Sequence, residues 1–381
     1  MQEGENREQD VDRDASLAFQ QEKDKANLEY ARRISHDASR EAQEQPRIYD
    51  ELGKEQTVES EITGLYQDSS IADKIAKRRE SSQSPVALFT DIDNSFYRKG
   101  QVDTTQKLDH MLNDNNWGLI YETGRDFSMV DSQADLPKAD VVVGAVGTEI
   151  SLRKKDGTYI PDEEYRKLLL GTWDRDEVYA KSQQIVAANP EIIFQERDVP
   201  GAFEAGQTNQ PPQEFKISFN VSGDNSVAER IKNVLEQDIA GARVVLSQDM
   251  NDPMKWNIDL LPIHAGKELA VRYLSGKLGV RGMAAGDSGN DLTMLTDSGH
   301  PAILVGGAHE GVKSSIMQFG TSSSFSSEAR ELPSGHRIII GDDKTDLAAQ
   351  GIINVLGQGD LNPEDAKWFV KSMYELSKRE E

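Results

Sequence analysis

The stretch Val86-Ala87-Leu88-Phe89-Thr90-Asp91-Ile92-Asp93-Asn94-Ser95 decides the fold. An apolar run that ends abruptly in carboxylates reads as a buried strand meeting the carboxyl edge of a parallel sheet, where open α/β proteins place their sites. A second junction of this kind lies far downstream, where Val280 to Ala285 runs into Gly286-Asp287-Ser288-Gly289-Asn290-Asp291. Carboxylates from both ends can share Mg²⁺, a hard ion that takes few carboxylates and keeps several waters. One carboxylate then remains free to act as a nucleophile.

Outward from the first motif the texture alternates between strand and helix. A helix is expected over 104–113, strands over 117–121 and 141–146, then Gly147-Thr148-Glu149-Ile150. Such succession implies a doubly wound parallel sheet of Rossmann-like α/β type. After about residue 155 helical stretches (162–170, 175–188) mix with strands at 191–195, 214–221, 242–247 and 256–261, which reads as an inserted α+β cap. A helix over 267–278, strands at 282–285, 302–305 and 337–340, a Ser-rich loop at 321–327 and a closing helix at 362–378 complete the core. The expected division is an N-terminal extension over 1–84, core segments 85–155 and 261–381, and a cap over 156–260.

The extension is acidic, with a thin helical stripe (Leu17, Leu28, Ala31, Ile34) and a short patch at Ile71-Ala72-Asp73-Lys74-Ile75-Ala76. It reads as partly helical or disordered, either a solvated tail or an arm for a protein partner. The chain carries a net charge of -23, which argues against nucleic acid as a partner, because phosphate backbones call for clustered Lys and Arg. Absence of cysteine excludes disulfides, thiolate zinc sites and cysteine nucleophiles. No signal-peptide pattern opens the chain and no apolar stretch reaches spanning length, so a cytoplasmic protein without membrane contact is expected.

The chemistry these residues suit is phosphoryl transfer. Asp91 could form an aspartyl-phosphate, and Asp93 could protonate the leaving alkoxide and later deprotonate water. Mg²⁺ held by Asp91, Asp93, Asp287 and Asp291 would neutralise the phosphoryl oxygens. Thr123 offers a hydroxyl to a phosphoryl oxygen, and Lys267 a positive charge at a helix start. Each element alone has a bland reading. A lone D-x-D is usually a turn or cap, Thr123 a strand-end threonine, Lys267 a surface lysine. Their joint order favours the chemistry.

In that order the residues resemble the haloacid dehalogenase superfamily, in its phosphatase branch with a large α+β cap between the second and third motifs. The four motifs map onto Asp91–Ser95, Thr123, Lys267 and Asp287–Asp291, within a resemblance that spans about 85–360. The nearest group is the sucrose-phosphate phosphatases. Its recurring pieces appear here as Tyr121-Glu122-Thr123-Gly124-Arg125, Val146-Gly147-Thr148-Glu149-Ile150, Lys216-Ile217-Ser218-Phe219, Asp259-Leu260-Leu261-Pro262 and Gly-Asp-Ser-Gly-Asn-Asp. The resemblance implies Mg²⁺-dependent hydrolysis of a sugar phosphate. It marks Ser95, Gly124, Arg125, Ser288 and Asn290 as substrate-binding, with Glu149, Lys216 and Asn220 as sugar contacts.

Departures are Ser95-Phe96 after the first motif and Glu268-Leu269 after Lys267. Alternatives are mannosyl-phosphoglycerate, glucosylglycerol-phosphate or trehalose-phosphate hydrolysis, or a non-catalytic binding protein. A rival last motif, Gly341-Asp342-Asp343-Lys344-Thr345-Asp346, resembles that of trehalose-phosphate phosphatases. It reads here as the cap of a helix over 345–356.

Overall fold

Every residue of β1 (Val86–Thr90) is buried, as a central parallel strand covered on both faces should be. The computed structural model describes residues 64–83, 85–249, 252, 254–319, 321–322, 329–331 and 337–356. The patterns at 15–45 and 362–378, and the Ser-rich stretch beyond Ser322, lie outside them. In chain order the core runs α1 (Ser70–Glu80), β1, α2 (Val102–Asp114), β2 (Gly118–Glu122), α3 (Phe127–Asp131), β3 (Val141–Gly144), β4 (Glu149–Arg153) and β5 (Tyr159–Pro161). The cap follows as α4 (Glu163–Leu170), α5 (Arg175–Ala188), β6 (Ile192–Phe194), β7 (Ile217–Ser222), α6 (Asn225–Asp238), β8 (Ala242–Gln248) and β9 (Lys255–Pro262). The chain then re-enters the core with α7 (Lys267–Leu278), β10 (Arg281–Gly286), α8 (Leu292–Asp297), β11 (Ala302–Leu304) and α9 (Glu310–Phe319). It continues through β12 (Thr321–Ser322), β13 (Ala329–Glu331), β14 (Arg337–Ile340) and α10 (Ala349–Leu356).

The core sheet is ordered β12-β13-β14-β11-β10-β1-β2-β3-β4-β5. From β14 to β3 all neighbours are parallel, and antiparallel strands extend both edges. One face packs Ala87, Phe89, Ile120 and Val143 with Leu274 of α7 and Ile71 of α1. The other packs Leu88, Leu119 and Tyr121 with Leu108 of α2 and Ile352 of α10. The cap is a separate antiparallel sheet, β6-β7-β9-β8. Along β7, Ile217, Phe219 and Val221 are buried while Asn220 and Ser222 are exposed, the two-residue period of a half-covered sheet. Asp224 starts α6 by accepting the backbone N–H groups of Ser226 and Val227, a side-chain N-cap.

Three boundaries differ from the sequence reading. β4 and β5 belong to the core sheet, so the first core segment reaches Pro161 rather than 155. The helix expected from 345 begins at Ala349, because Ala348 adopts a φ of 48°, outside the right-handed helical region. The third concerns α1, which is docked rather than part of a loose extension. Ile71 and Ile75 are buried, and Ser70 Oγ and Lys74 Nζ donate to the buried Asp140 carboxylate at 2.6 and 2.7 Å. Arg153 (3.0 Å) and the Leu119 N–H (3.0 Å) complete that carboxylate, so its burial is matched by partners. Upstream, the Tyr66 hydroxyl donates to Asp162 at the entrance to the cap, and Tyr273 of α7 donates to the same oxygen.

Candidate active site

Parallel pairing brings the motifs together. Thr90 lies opposite Ala285 on one side and Tyr121 on the other, so Asp91, Asp287 and Thr123 emerge at one edge of the sheet. The Asp91 N–H donates to Ala285 O at 2.9 Å, which fixes the first motif to the strand that carries the second. The chain then turns tightly through Asn94 at φ 60°, a left-handed conformation that asparagine tolerates. Ser95 is thereby folded back, and its hydroxyl donates to Asp287 Oδ1 at 3.0 Å.

Lys267, the first residue of α7, is fully buried, and its Nζ lies 2.8 Å from Asp91 Oδ1 and 2.6 Å from Asp291 Oδ1. The helix reaches this position through two close backbone approaches. A Cβ on Gly147 would sit 2.3 Å from the carbonyl carbon of Gly266, and Gly147 has a φ of 82°. Gly266, at φ 152°, would drive a Cβ to 2.3 Å from Arg243. Larger residues are therefore excluded at both positions. The Ala145-Val146 turn has positive φ at both residues, 50° and 61°. It is held there by the Val146 N–H donating to Thr123 O at 2.9 Å, which in turn fixes Thr123.

The second acidic loop is pinned by its own last residue. Asp291 Oδ2 accepts from the N–H groups of Asp287 (3.2 Å) and Ser288 (3.0 Å) and lies 2.9 Å from Ser288 Oγ. Carboxylate oxygens of Asp91, Asp287 and Asp291 all lie within 4.8 Å of one another. Opposite ligands of an octahedral Mg²⁺ stand about 4.2 Å apart, so the donor set fits that ion. Both oxygens of Asp291 are engaged, Oδ1 by Lys267 and Oδ2 by Ser288 and two backbone amides. Only Oδ1 of Asp91 and of Asp287 is bonded among the described residues, so Asp91 and Asp287 could each offer an oxygen to the ion. Burial pushes Asp91 up to about 7, with Lys267 opposing and Asp291 adding to the rise. Burial, then Asp91 and Asp291, raise Asp287 well above the usual carboxylate range. Burial works against the Lys267 charge, but Asp291 and Asp91 outweigh it and hold the ammonium above the ordinary lysine range. Three carboxylates against one ammonium leave a deficit of positive charge.

Asp93 does not join this group. Its carboxylate is paired with Arg125, whose Nε lies 2.7 Å from Asp93 Oδ2 and whose Nη2 bonds Oδ1. Gly124 accepts at its carbonyl from Lys216 Nζ at 3.3 Å, so Lys216 crosses from cap to core. Asn290 lies beside Gly124, its Nδ2 4.0 Å from where a Gly124 Cβ would stand. Ser288 Oγ approaches Asn290 Oδ1 at 3.1 Å. Glu149, on β4 against Gly144, accepts the Phe127 N–H at 3.3 Å. Burial and then Asp126 raise the Glu149 carboxyl. Asn220 sits on the exposed side of β7, where Gln195 approaches it at 3.4 Å.

Several participants escaped the sequence reading. Arg197 Nη1 grips both oxygens of Asp126 at 2.8 and 2.7 Å, and Gln213 bonds Asp126 as well, tying cap to core. Asp259 accepts from Ser218 Oγ at 2.6 Å and lies 3.8 Å from Lys216 Nζ. Glu122, next to Thr123, is buried with neither carboxylate oxygen partnered among the described residues, and burial raises it well above the usual range. The signal for Asp126 lay in its place after Gly124-Arg125, and Glu122 and Asp259 stand within quoted motif pieces without a role; Arg197 and Gln213 meet Asp126 only where cap joins core. The rival motif lies elsewhere. Asp342 Oδ1 accepts the Lys344 and Thr345 N–H groups at 2.9 and 3.1 Å, capping its own exposed turn.

Sheet order, inserted cap and carboxylate cluster together define a haloacid dehalogenase-like α/β protein. The family profile described as sucrose-6F-phosphate phosphohydrolase matches residues 84–330, and the chain belongs to that family. It is 25 % identical over 256 residues to sucrose-phosphatase 2 of Nicotiana tabacum, covering 64 % of this chain and 51 % of the relative. To probable sucrose-phosphatase 3a of Arabidopsis thaliana it is 28 % identical over 203 residues, covering 50 % and 42 %. The chain thus spans about half the length of the curated relatives it matches. Among solved structures, the sucrose-phosphatase of Synechocystis in complex with sucrose and phosphate aligns with a TM-score of 0.53 at 21 % identity, covering 72 % of this chain and 97 % of that one. That likeness supports the fold. Among the described residues, no helix is long and apolar enough to cross a membrane.

Proposed function

We propose that the chain hydrolyses the phosphate monoester of a sugar, with sucrose 6-phosphate as the preferred substrate and Mg²⁺ as cofactor. The observation that carries this reading is the buried cluster in which Lys267 holds Asp91 beside Asp287 and Asp291. Lys267 engages one Asp91 oxygen, and the other serves as the nucleophile. That second oxygen attacks phosphorus as the bond to the leaving sugar oxygen breaks, and Asp93 gives that oxygen its proton. Water then attacks the aspartyl-phosphate, Asp93 takes its proton, and inorganic phosphate leaves with Asp91 restored. Thr123, buried beside Asp91's strand, presents a hydroxyl to a phosphoryl oxygen. Mg²⁺ bound by Asp91 and Asp287 supplies the positive charge that the cluster lacks. The cap contacts at Gly124 and Asp126 bring Lys216 and Arg197 over the site, where closure excludes water.

Family membership favours sucrose 6-phosphate over mannosyl-phosphoglycerate or glucosylglycerol phosphate, and the Synechocystis relative was solved with sucrose and phosphate. The self-capping turn at Asp342 speaks against the trehalose-phosphate reading. A buried lysine between two carboxylates, with a third beside them at the sheet edge, suits a catalytic site better than a binding protein. Phosphate release across a panel of sugar phosphates, with and without Mg²⁺, tests the proposal. Release from sucrose 6-phosphate that outpaces glucose 6-phosphate and requires Mg²⁺ is expected. Equal rates would reduce the assignment to a broad sugar phosphatase, and no release from any ester would refute it.

A further inference from the structure

Arg125 makes more contacts at the site than a substrate-binding residue would need. Its Nε and Nη2 grip both oxygens of Asp93, and its Nη1 donates to Gln133. Every donor-bearing edge of the guanidinium is thus committed within the core. Its backbone is fixed too. The Arg125 N–H donates to Thr123 Oγ1 at 3.2 Å, and its carbonyl accepts the Ala145 N–H at 2.8 Å. The residues on either side are held by the cap, Gly124 by Lys216 and Asp126 by Arg197.

Stability does not explain the pair with Asp93, whose side chain is 51 % exposed against 24 % for Arg125. Ion pairs this open contribute little to folding. Geometry does explain it. A planar guanidinium that meets a carboxylate through two parallel bonds fixes the direction of that carboxylate as well as its distance. We infer that Arg125 is a positioning residue for Asp93, aiming its carboxyl group at the leaving-group oxygen through a loop that the cap holds in place. This inference rests on the proposed acid/base role of Asp93.

The consequence follows from the proton balance. To act as the acid, Asp93 carries a proton on one oxygen, and that oxygen is then released from the guanidinium. As the bond from phosphorus to the sugar oxygen breaks, the proton passes to the sugar oxygen and the two-point pair of carboxylate and Arg125 is restored. The Arg125 guanidinium stands where that negative charge develops, and it is already in place before the reaction. When water later attacks the aspartyl-phosphate, the proton returns to Asp93. An ester whose leaving group departs as a stable anion does not need the first transfer, so it should be indifferent to Arg125 in its first step.

The experiment uses full-length enzyme with Mg²⁺, sucrose 6-phosphate and p-nitrophenyl phosphate. Arg125→Ala should lower kcat on the sugar phosphate about 10²-fold, the usual worth of a placed proton donor, with KM within about threefold of wild type. Single-turnover release of nitrophenolate should stay within about twofold. Arg125→Lys, which keeps the charge but loses the two-point grip, should recover about tenfold of the loss. Asp93→Asn should show the same selectivity between esters, and adding Arg125→Ala to it should cost nothing more. Equal losses on both esters with a raised KM would overturn the inference by making Arg125 a phosphate ligand. Multiplying losses in the double variant would also overturn it. If Asp93→Asn is impaired while Arg125→Ala is not, this inference alone fails. If Asp93→Asn turns over the sugar phosphate normally, the acid/base reading fails first.

Discussion

Lys267 Nζ stands 2.8 Å from Asp91 Oδ1, with the lysine fully buried and the aspartate open to solvent over only 8 % of its side chain. The two residues have opposite effects on the cluster. Asp91→Asn removes one of three crowded carboxylates, so it should abolish phosphate release while leaving the melting temperature unchanged or higher. Lys267→Met removes the ammonium they share and should lower stability by about 3–5 kcal/mol, the cost of stranding buried charge. Thermal melts and phosphate release on the two variants check this. Near-normal turnover in folded Asp91→Asn would rule out a covalent intermediate on that residue.

Metal binding should release protons near neutrality. Burial lifts Asp91 to about 7, so below that pH part of the population carries a proton that an incoming cation must displace. Affinity for Mg²⁺ should rise as pH increases through about 7, and the Asp287 carboxyl, also raised by burial, adds to the protons released. Calorimetry in buffers of different ionisation enthalpy reads the proton count. Asp287→Ala should remove binding, whereas Asp342→Ala should only loosen an exposed turn and leave binding unchanged. The reverse ranking would move the metal site to the later motif.

Lys216 joins the cap to the Gly124 carbonyl. Lys216→Ala should therefore reduce kcat/KM for sucrose 6-phosphate more than for p-nitrophenyl phosphate, whose small leaving group makes fewer cap contacts. Steady-state kinetics on both esters decide. Equal losses would mean that the lysine serves closure rather than sugar recognition.

The Asp140 cluster should make the docking of α1 sensitive to acid. Burial alone would raise this carboxyl, but Lys74, with Ser70 and Leu119, holds it below the usual range. A depressed folded value adds stability that is complete above the unfolded pKa of about 3.9 and is lost as pH falls through the folded value. Asp140→Asn should therefore cost about 3 kcal/mol at pH 7, and its melting gap to wild type should narrow below about pH 4. A gap that does not change with pH would show that Asp140 acts through hydrogen bonds alone.

The central strands were legible because burial on both faces leaves an unbroken apolar run, as in Val86 to Thr90, and the carboxylates stand where that run ends. The short outer strands were not. β4 and β5 pair antiparallel at the edge and carry Glu149, Arg153 and Tyr159, so their sequence mixes charge with apolar residues and resembles a loop. Helix α1 shows only Ile71 and Ile75 as buried anchors. What docks it is Asp140, 66 residues from Lys74 in the chain, a partnership no local pattern records. The same holds within the site. Asp91, Lys267 and Asp287 could be placed by motif, but the Arg125 grip on Asp93 joins two loops of the core 32 residues apart, and the Arg197 grip on Asp126 exists only once the cap meets the core.

The placement of Val86 opposite Arg281 in neighbouring strands bears on how the chain assembles. Joining β1 to β10 closes a loop of about 195 residues, and non-local pairings of that kind are slow to form. The cap strands need far shorter closures, since Ala242 pairs with Pro262 and Ile217 with Leu260. Domains of this size generally fold as units, so the inserted module should form first and bring the ends of the divided core together. Pulse-labelling hydrogen exchange should then find β7 to β9 protected before β1 and β10, and simultaneous protection would count against this order. On this view the cap that covers the substrate in the finished protein also serves, earlier, as a splint for the sheet beneath it.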